Sequence, residues 1–224
     1  MAHEKRSRYA VAAFTALLFL IAIDCHAQEG HQGHSCTVDA AGSVVFPKGE
    51  DGHNFGNGWG LQAGGGFAVT RVPKSHGASL FITANYMHEQ LIATAAALAA
   101  AKTANPSQLA NATSAHGVFS AVSLDPTVRF ALDTRLSFYG SGGFGWFRRS
   151  VGFQGANPAT LLESSGVSLD RLASNSGAFD LGGGANFGLT KGGGLMLFAE
   201  MRVYHGTAIN KGTTLVPLSF GIRW

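Results

Sequence analysis

Apolar side chains recur at every second position through eight separate segments of this chain. Alternation with a period of two puts one set of side chains on one face of a strand and the intervening set on the other. The segments are Val38 to Phe46, Trp59 to Val69, Leu80 to Glu89, Val118 to Phe130, Leu136 to Arg149, Phe179 to Leu189, Leu195 to His205 and Leu215 to Trp224. In the last of them, Val216, Leu218, Phe220, Ile222 and Trp224 share a face, and Pro217, Ser219, Gly221 and Arg223 lie between. In the fourth, Val118, Val122, Leu124, Val128 and Phe130 oppose Asp125, Thr127 and Arg129. Each segment is therefore a strand with one apolar face and one small, polar or charged face. Pro126 and Pro217 fall inside strands, where each removes a ladder donor, so a local distortion or an unpaired acceptor is expected there.

The stretches between these strands sort by length. Lys48 to Gly58 is a polar loop. Gln90 to His116 is a long insertion, Ala-rich as far as Lys102 and then broken by Asn105-Pro106, which predicts a short helix followed by irregular chain. Gly152 to Gly177 is a second long insertion. The turns at Thr70 to Gly77, Asp133-Thr134 and Lys191 to Gly194 are short, and Thr207 to Thr213 is about as short as they are. In a meander the odd connections lie at one end and the even ones at the other. Long loops at one end and short turns at the other, on an even number of strands, is the plan of a transmembrane barrel. A β-sandwich has no reason to sort its loops by end. The predicted fold is all-β: an eight-stranded antiparallel up-and-down transmembrane β-barrel, with both termini at the short-turn end.

The front of the chain agrees with export. Lys5, Arg6 and Arg8 precede an apolar run from Tyr9 to Ile23, and a small residue, Ala27, precedes Gln28. This is the pattern of a cleavable signal peptide, and the run is shorter than a spanning helix needs. The predicted organisation is a signal peptide at 1–27, a periplasmic linker at 28–37 and the barrel domain at 38–224. The composition fits: 46% hydrophobic, 13% charged and 31 Gly, which suits strands in close approach rather than a helical bundle or a disordered chain. The net charge is +3. Removing residues 1–27 lowers it slightly, and the balance excludes a nucleic-acid footprint. Cys36 is the only cysteine after the expected cleavage point, so it is expected as a free thiol.

The two faces of the predicted barrel carry different chemistry. On the lipid side, Phe46, Trp59, Tyr86, Trp146 and Phe179 fall near the extracellular rim, and Phe67, Phe130, Phe138, Phe187 and Trp224 near the periplasmic rim. These are two aromatic girdles at the two water interfaces. The inward face holds Asp39, Glu89, Asp125, Asp180 and Glu200 with Arg129, Arg149, Arg202 and Arg223. Charges inside a narrow lumen persist when paired and hydrogen-bonded. The same face mixes glycines with Phe81, Phe119, Tyr139, Phe147, Phe198 and Tyr204. Small beside large is what filling a closed interior requires, and eight strands leave room for little besides side chains. A plugged core with an ion-pair network follows, in which Arg223 is expected to reach Asp39 or Glu200.

The exported leader, the sorted loops, the GWGLQAGGGF stretch, the VSLDPTVRF and YGSGGFGWFRR strands, LFAEMRVYH and the VPLSFGIRW ending resemble the small bacterial outer-membrane β-barrels, OmpA/OmpX-like in architecture. The ending, Val216, Leu218, Phe220, Ile222 and Trp224, resembles their C-terminal assembly signal. The resemblance implies an integral outer-membrane protein surrounded by outer-membrane lipid and inserted by the barrel-assembly machinery. It does not name a surface-loop partner or a nucleic-acid role. The family includes tethers, adhesins, resistance factors and a few lipid-modifying enzymes, so the fold does not settle function. The expected function is non-enzymatic, in envelope structure or surface interaction through the extracellular loops. A narrow, porin-like passive channel is the first alternative and a lipid A-modifying hydrolase the second. No cofactor or metal is expected, since the spacing of His31, His34, Cys36 and His53 is not a zinc signature. For the hydrolase, His205 faces lipid by parity, Thr207 stands where a serine nucleophile would be sought, and Glu200 faces inward, so no relay forms on paper.

Overall fold

In a computed structural model, residues 36–70, 76–155, 171–190, 194–207 and 212–224 are described. The expected signal peptide, most of the linker, His31 and His34 lie outside the described residues. The strands are β1 (Cys36–Lys48), β2 (Gly58–Ala68), β3 (Gly77–Ile92), β4 (Ser114–Ala131), β5 (Leu136–Gln154), β6 (Arg171–Gly188), β7 (Met196–Gly206) and β8 (Thr213–Arg223). They form one closed barrel in sequence order, every neighbour antiparallel, with β1 pairing β8 to complete the ring. Among the described residues no helix is long and apolar enough to cross a membrane. A closed sheet leaves no edge and satisfies its backbone internally, which is what a strand-built structure needs in lipid.

Alternation along each strand decides which way side chains point. On β1, Thr37, Asp39, Ala41, Ser43 and Val45 are buried toward the lumen, while Ala40, Gly42 and Val44 are exposed. The exterior carries Leu61, Leu124, Phe144, Leu181, Met201 and Phe220 as large exposed hydrophobics. In water that surface would drive aggregation; in a bilayer it is the lipid contact.

Several boundaries differ from the sequence reading. β5 runs to Gln154 and β6 starts at Arg171, so part of the second long insertion is strand. β3, β4, β5 and β6 continue pairing through Ile92, His116, Gly152 and Arg171, beyond the clean alternation. β1 begins at Cys36, inside the expected linker. The polar loop after β1 contains a one-turn helix, α1 (Glu50–Asn54). The Ala-rich insertion forms α2 (Ala95–Ala104), capped by the Thr94 hydroxyl accepting from Ala97 N–H, and then α3 (Pro106–Leu109) with proline in its first turn. Cys36 is disulfide-bonded rather than a free thiol. The chain's only other cysteine, Cys25, lies outside the described residues.

Both strand prolines leave their mark without shifting register. The β4–β5 ladder skips Asp125 and Pro126 between Leu124↔Phe144 and Thr127↔Ser141. The β7–β8 ladder skips Val216 and Pro217 between Met201↔Leu218 and Tyr204↔Leu215. On their other sides Pro126 and Pro217 keep their rungs, opposite Ile82 and Val45. The cost of each proline is confined to one side of one strand.

Candidate functional site

The lumen is the first candidate, and it is filled in two zones. The extracellular zone is mostly apolar. Val45, Phe55, Met87, Leu91, Phe119, Phe147, Tyr204 and Leu215 form one buried cluster. Phe55, just after α1, meets Phe119 edge to face at 5.5 Å, and Phe119 lies 6.1 Å from Phe147. Edge-to-face packing suits the ring quadrupoles. α1 folds over the barrel mouth: Asp51 is buried and pairs with Arg149 at 3.1 Å, and that guanidinium lies over both Phe55 and Phe119. Glu89 is wholly buried just below, and accepts from the Ser43 hydroxyl at 2.9 Å. A Cβ at Gly60 would collide with a Glu89 carboxylate oxygen, so that carboxylate occupies the space that the glycine leaves.

The middle and periplasmic zone is ionic. Arg202 donates from Nη1 to Asp125 and, at 2.7 Å, to Asp180; from Nε to Glu200 at 2.8 Å; and from Nη2 to Ser141 at 3.0 Å. Asp125 also accepts from Asn85 and Ser123, and Glu200 accepts from the Tyr139 hydroxyl at 2.8 Å. Arg223 donates to Asp39 at 3.2 Å and to Asn186 at 2.8 Å, and stacks against Tyr139 and Phe198 at 4.6 and 4.7 Å. Planar guanidinium groups serve here because one fork satisfies several acceptors while its face lies on an aromatic ring. A cavity of about 20 Å³ remains, lined by Thr37, Asp39, Phe81, Thr127, Arg129 and Arg223 among others. That is room for about one water.

The predicted charge set therefore divides. Asp39, Asp125, Asp180, Glu200, Arg202 and Arg223 meet as ion pairs. Arg149 leaves that network for Asp51, a partner the sequence reading missed. Glu89 is held by a hydroxyl instead of a cation. Arg129 donates to Ser137 and to the Met196 sulfur. The only hint of the Asp51–Phe55 plug was an isolated Phe in a polar, glycine-flanked loop.

On the exterior, Tyr86 and Trp146 share one cross-strand row, Ala63–Tyr86–Val122–Trp146–Gly177. Trp59 pairs with Val44, Phe46 with Val216, and Phe179 with His205. At the other end Phe130 pairs with Phe138, Phe187 lies between Leu136 and Leu197, Phe67 opposes Ile82, and Trp224 exchanges backbone hydrogen bonds with Val38. Phe144, 80% exposed one row below Trp146, and Phe220 fall outside the two expected bands. Of the assembly-signal residues, Val216 and Leu218 are half-buried, and Phe220, Ile222 and Trp224 are exposed on the outward face.

The outward face also holds two imidazole–hydroxyl pairs. His88 Nδ1 lies 3.0 Å from Ser120 Oγ, and His205 Nδ1 lies 2.8 Å from Thr214 Oγ1, with the His205 ring on Phe179. The first was missed in the sequence because its members are 32 residues apart and meet only through β3–β4 register. Thr207 bonds the Gly177 carbonyl instead of His205. Among the described strands no carboxylate occupies an outward position to orient either imidazole. Cys36 and His53 sit at opposite ends of β1, roughly 40 Å of strand apart. At the periplasmic end, Asp133 accepts from the backbone N–H groups of Arg135 and Leu136, both at 2.6 Å, which hold its carboxyl below the usual range.

The closed ring, apolar exterior and filled lumen define a small eight-stranded β-barrel of the outer-membrane type, with an exterior built to face lipid. A solved structure agrees on the fold. Neisserial surface protein A superposes with a TM-score of 0.53 at 15% identity, covering 86% of this chain and 98% of that one. Ail, the attachment invasion locus protein of Yersinia pestis, solved in complex with the heparin analogue sucrose octasulfate, gives 0.49 at 13% identity over 87% and 100%. The outer membrane enzyme PagL gives 0.40 at 12% over 84% and 97%. No protein-family model matches the chain, and no curated protein does at significant similarity.

Proposed function

We propose that this barrel works without chemistry of its own, in envelope structure or surface interaction, through the extracellular connections that it holds in place. The observation carrying this reading is the filled lumen. Phe55, Phe119 and Arg149 occupy its mouth, Arg202 with three carboxylates its middle, and Arg223 with Asp39 its lower end. A rigid, filled barrel is a scaffold, and rigid scaffolds present function on their loops. Single-channel recording of refolded protein in planar bilayers tests it: the membrane stays silent, and discrete openings would favour the channel.

One observation favours a second reading, a lipid-modifying hydrolase: the His88–Ser120 pair on the lipid side. Against it stands the missing orienting acid, which leaves the hydroxyl weakly activated. Lipid A mass spectrometry after expression, with His88→Ala and His205→Ala as controls, decides between them. Unchanged lipid supports the scaffold, and a product lost in either variant supports the enzyme.

A further inference from the structure

Acidic and basic side chains on the lipid-facing surface are neither scattered nor mixed in sign. All the strand carboxylates, Asp39, Glu89, Asp125, Asp180 and Glu200, point inward. Among the outward side chains described, the acidic or basic ones are Lys48, His88, His116, Arg148 and His205, and every one lies in the extracellular half of its strand. The outward strand positions described in the periplasmic half have none; Asp133 and Arg135 lie beyond them, in the turn. A charge facing hydrocarbon is costly, and solubility in water does not call for basic residues on one rim alone.

The register gathers three of these polar groups. His88, Ser120 and Arg148 lie side by side on β3, β4 and β5, directly extracellular of the Tyr86–Val122–Trp146 row. Aromatic belts mark the level of the headgroups, so this row sits where lipid phosphates lie. Ser120 is bonded to His88 Nδ1, which leaves Nε2 on the outside. Arg148 is only half-buried and has no hydrogen-bond or ion-pair partner among the described residues. His88 and Arg148 flank Ser120 across two strand spacings, about 10 Å at the backbone, a gap their side chains close around one tetrahedral anion. Asn175 continues the row on β6, exposed. Glu50, on α1 at the mouth, is exposed, and Asp51 beside it is engaged by Arg149 over the lumen.

We infer that His88, Ser120 and Arg148 form a binding site for the phosphate of an outer-leaflet lipid, with the other rim bases as a collar that attracts the same lipid. Arg148 supplies the charge and the bidentate fork; the Ser120 hydroxyl donates to His88 Nδ1 and so fixes the tautomer whose Nε2–H is the second donor to the anion. Tyr86, Val122 and Trp146 below the row meet the acyl chains. The inference rests on the barrel being embedded in the outer membrane and is independent of what the loops do.

Native mass spectrometry of the full folded protein in detergent tests it with three probes: lipid A carrying its phosphates, phosphate-free lipid A and inorganic phosphate. Wild-type protein prefers the phosphorylated lipid by about tenfold, the worth of one good charge-assisted contact pair. Arg148→Gln brings that preference to within about twofold, and His88→Gln weakens it less, as a neutral donor lost beside an intact charge should. Arg135→Gln, the same charge change at the periplasmic turn, leaves it intact. Equal retention of both lipids by wild-type protein overturns the site, as does an Arg148→Gln protein that keeps the preference. Competition by millimolar inorganic phosphate would assign a free-anion site instead and overturn the lipid. Boiled and unboiled gel lanes of each sample report separately whether the barrel itself is folded.

Discussion

The two zones of the lumen solve the same packing problem with opposite chemistry. Near the extracellular mouth, aromatic rings interlock and the one ion pair described there, Arg149–Asp51, lies over them with the arginine a quarter exposed. Deeper in, Arg202 and Glu200 are almost fully buried, and one guanidinium is ion-paired to Glu200, Asp125 and Asp180. The apolar zone takes in a segment that is not part of the barrel wall, the α1–Phe55 turn, and is sealed by shape. The ionic zone is built wholly from residues on the strands, whose register fixes where each charge sits. A plug added from a loop tolerates imprecision; a buried guanidinium with three carboxylates does not.

Removing the centre of the ionic zone gives the largest expected effect. Arg202→Met leaves Asp125, Asp180 and Glu200 without their shared cation, which costs about 3–5 kcal/mol. Equilibrium urea unfolding in lipid vesicles reads this as a large fall in midpoint. Adding Asp125→Asn, Asp180→Asn and Glu200→Gln together on the same background removes the orphaned charges and recovers part of it. A near-neutral Arg202→Met would mean that the zone is wet. Phe119→Ala comes next, at about 3–4 kcal/mol for a deleted core ring, with no dependence on salt. Asp51→Asn is smaller, about 1 kcal/mol or less for a pair with one partner partly exposed, and it shrinks in high salt. If Asp51→Asn equals Arg202→Met, the two zones are not different in kind.

The smallest effect lies outside both zones. Asp133 is fully exposed in its turn, with its carboxyl held low by two backbone N–H donors. A depressed folded-state value contributes stability above the unfolded carboxylate range, and that contribution is lost as pH falls through the folded value. NMR titration is expected to place Asp133 below an ordinary aspartate, and Asp133→Asn removes this low-pH step.

The eight strands were legible because a closed barrel gives each strand one lipid face and one lumen face, so alternation runs unbroken through stretches such as Val216 to Trp224. Boundaries were less so. At the extracellular strand ends, residues such as His116 and Gly152 interrupt the apolar alternation although the ladder continues through them. The inward charges were legible as a set because their parity is fixed by the strand. Their partners were not, since whether Arg149 meets Glu89 or Asp51 depends on how α1 folds back over the mouth. Five residues with two acids and a glycine carry no helical stripe. The His88–Ser120–Arg148 row needed the register of three strands, which no local pattern encodes.

Refolding the chain into lipid vesicles and running it on a gel with and without boiling tests most directly whether these strands close into a lipid-embedded barrel. The account predicts two bands, a compact unboiled species that shifts to the unfolded position only on heating. A single heat-insensitive band from protein that stays soluble without lipid would contradict it.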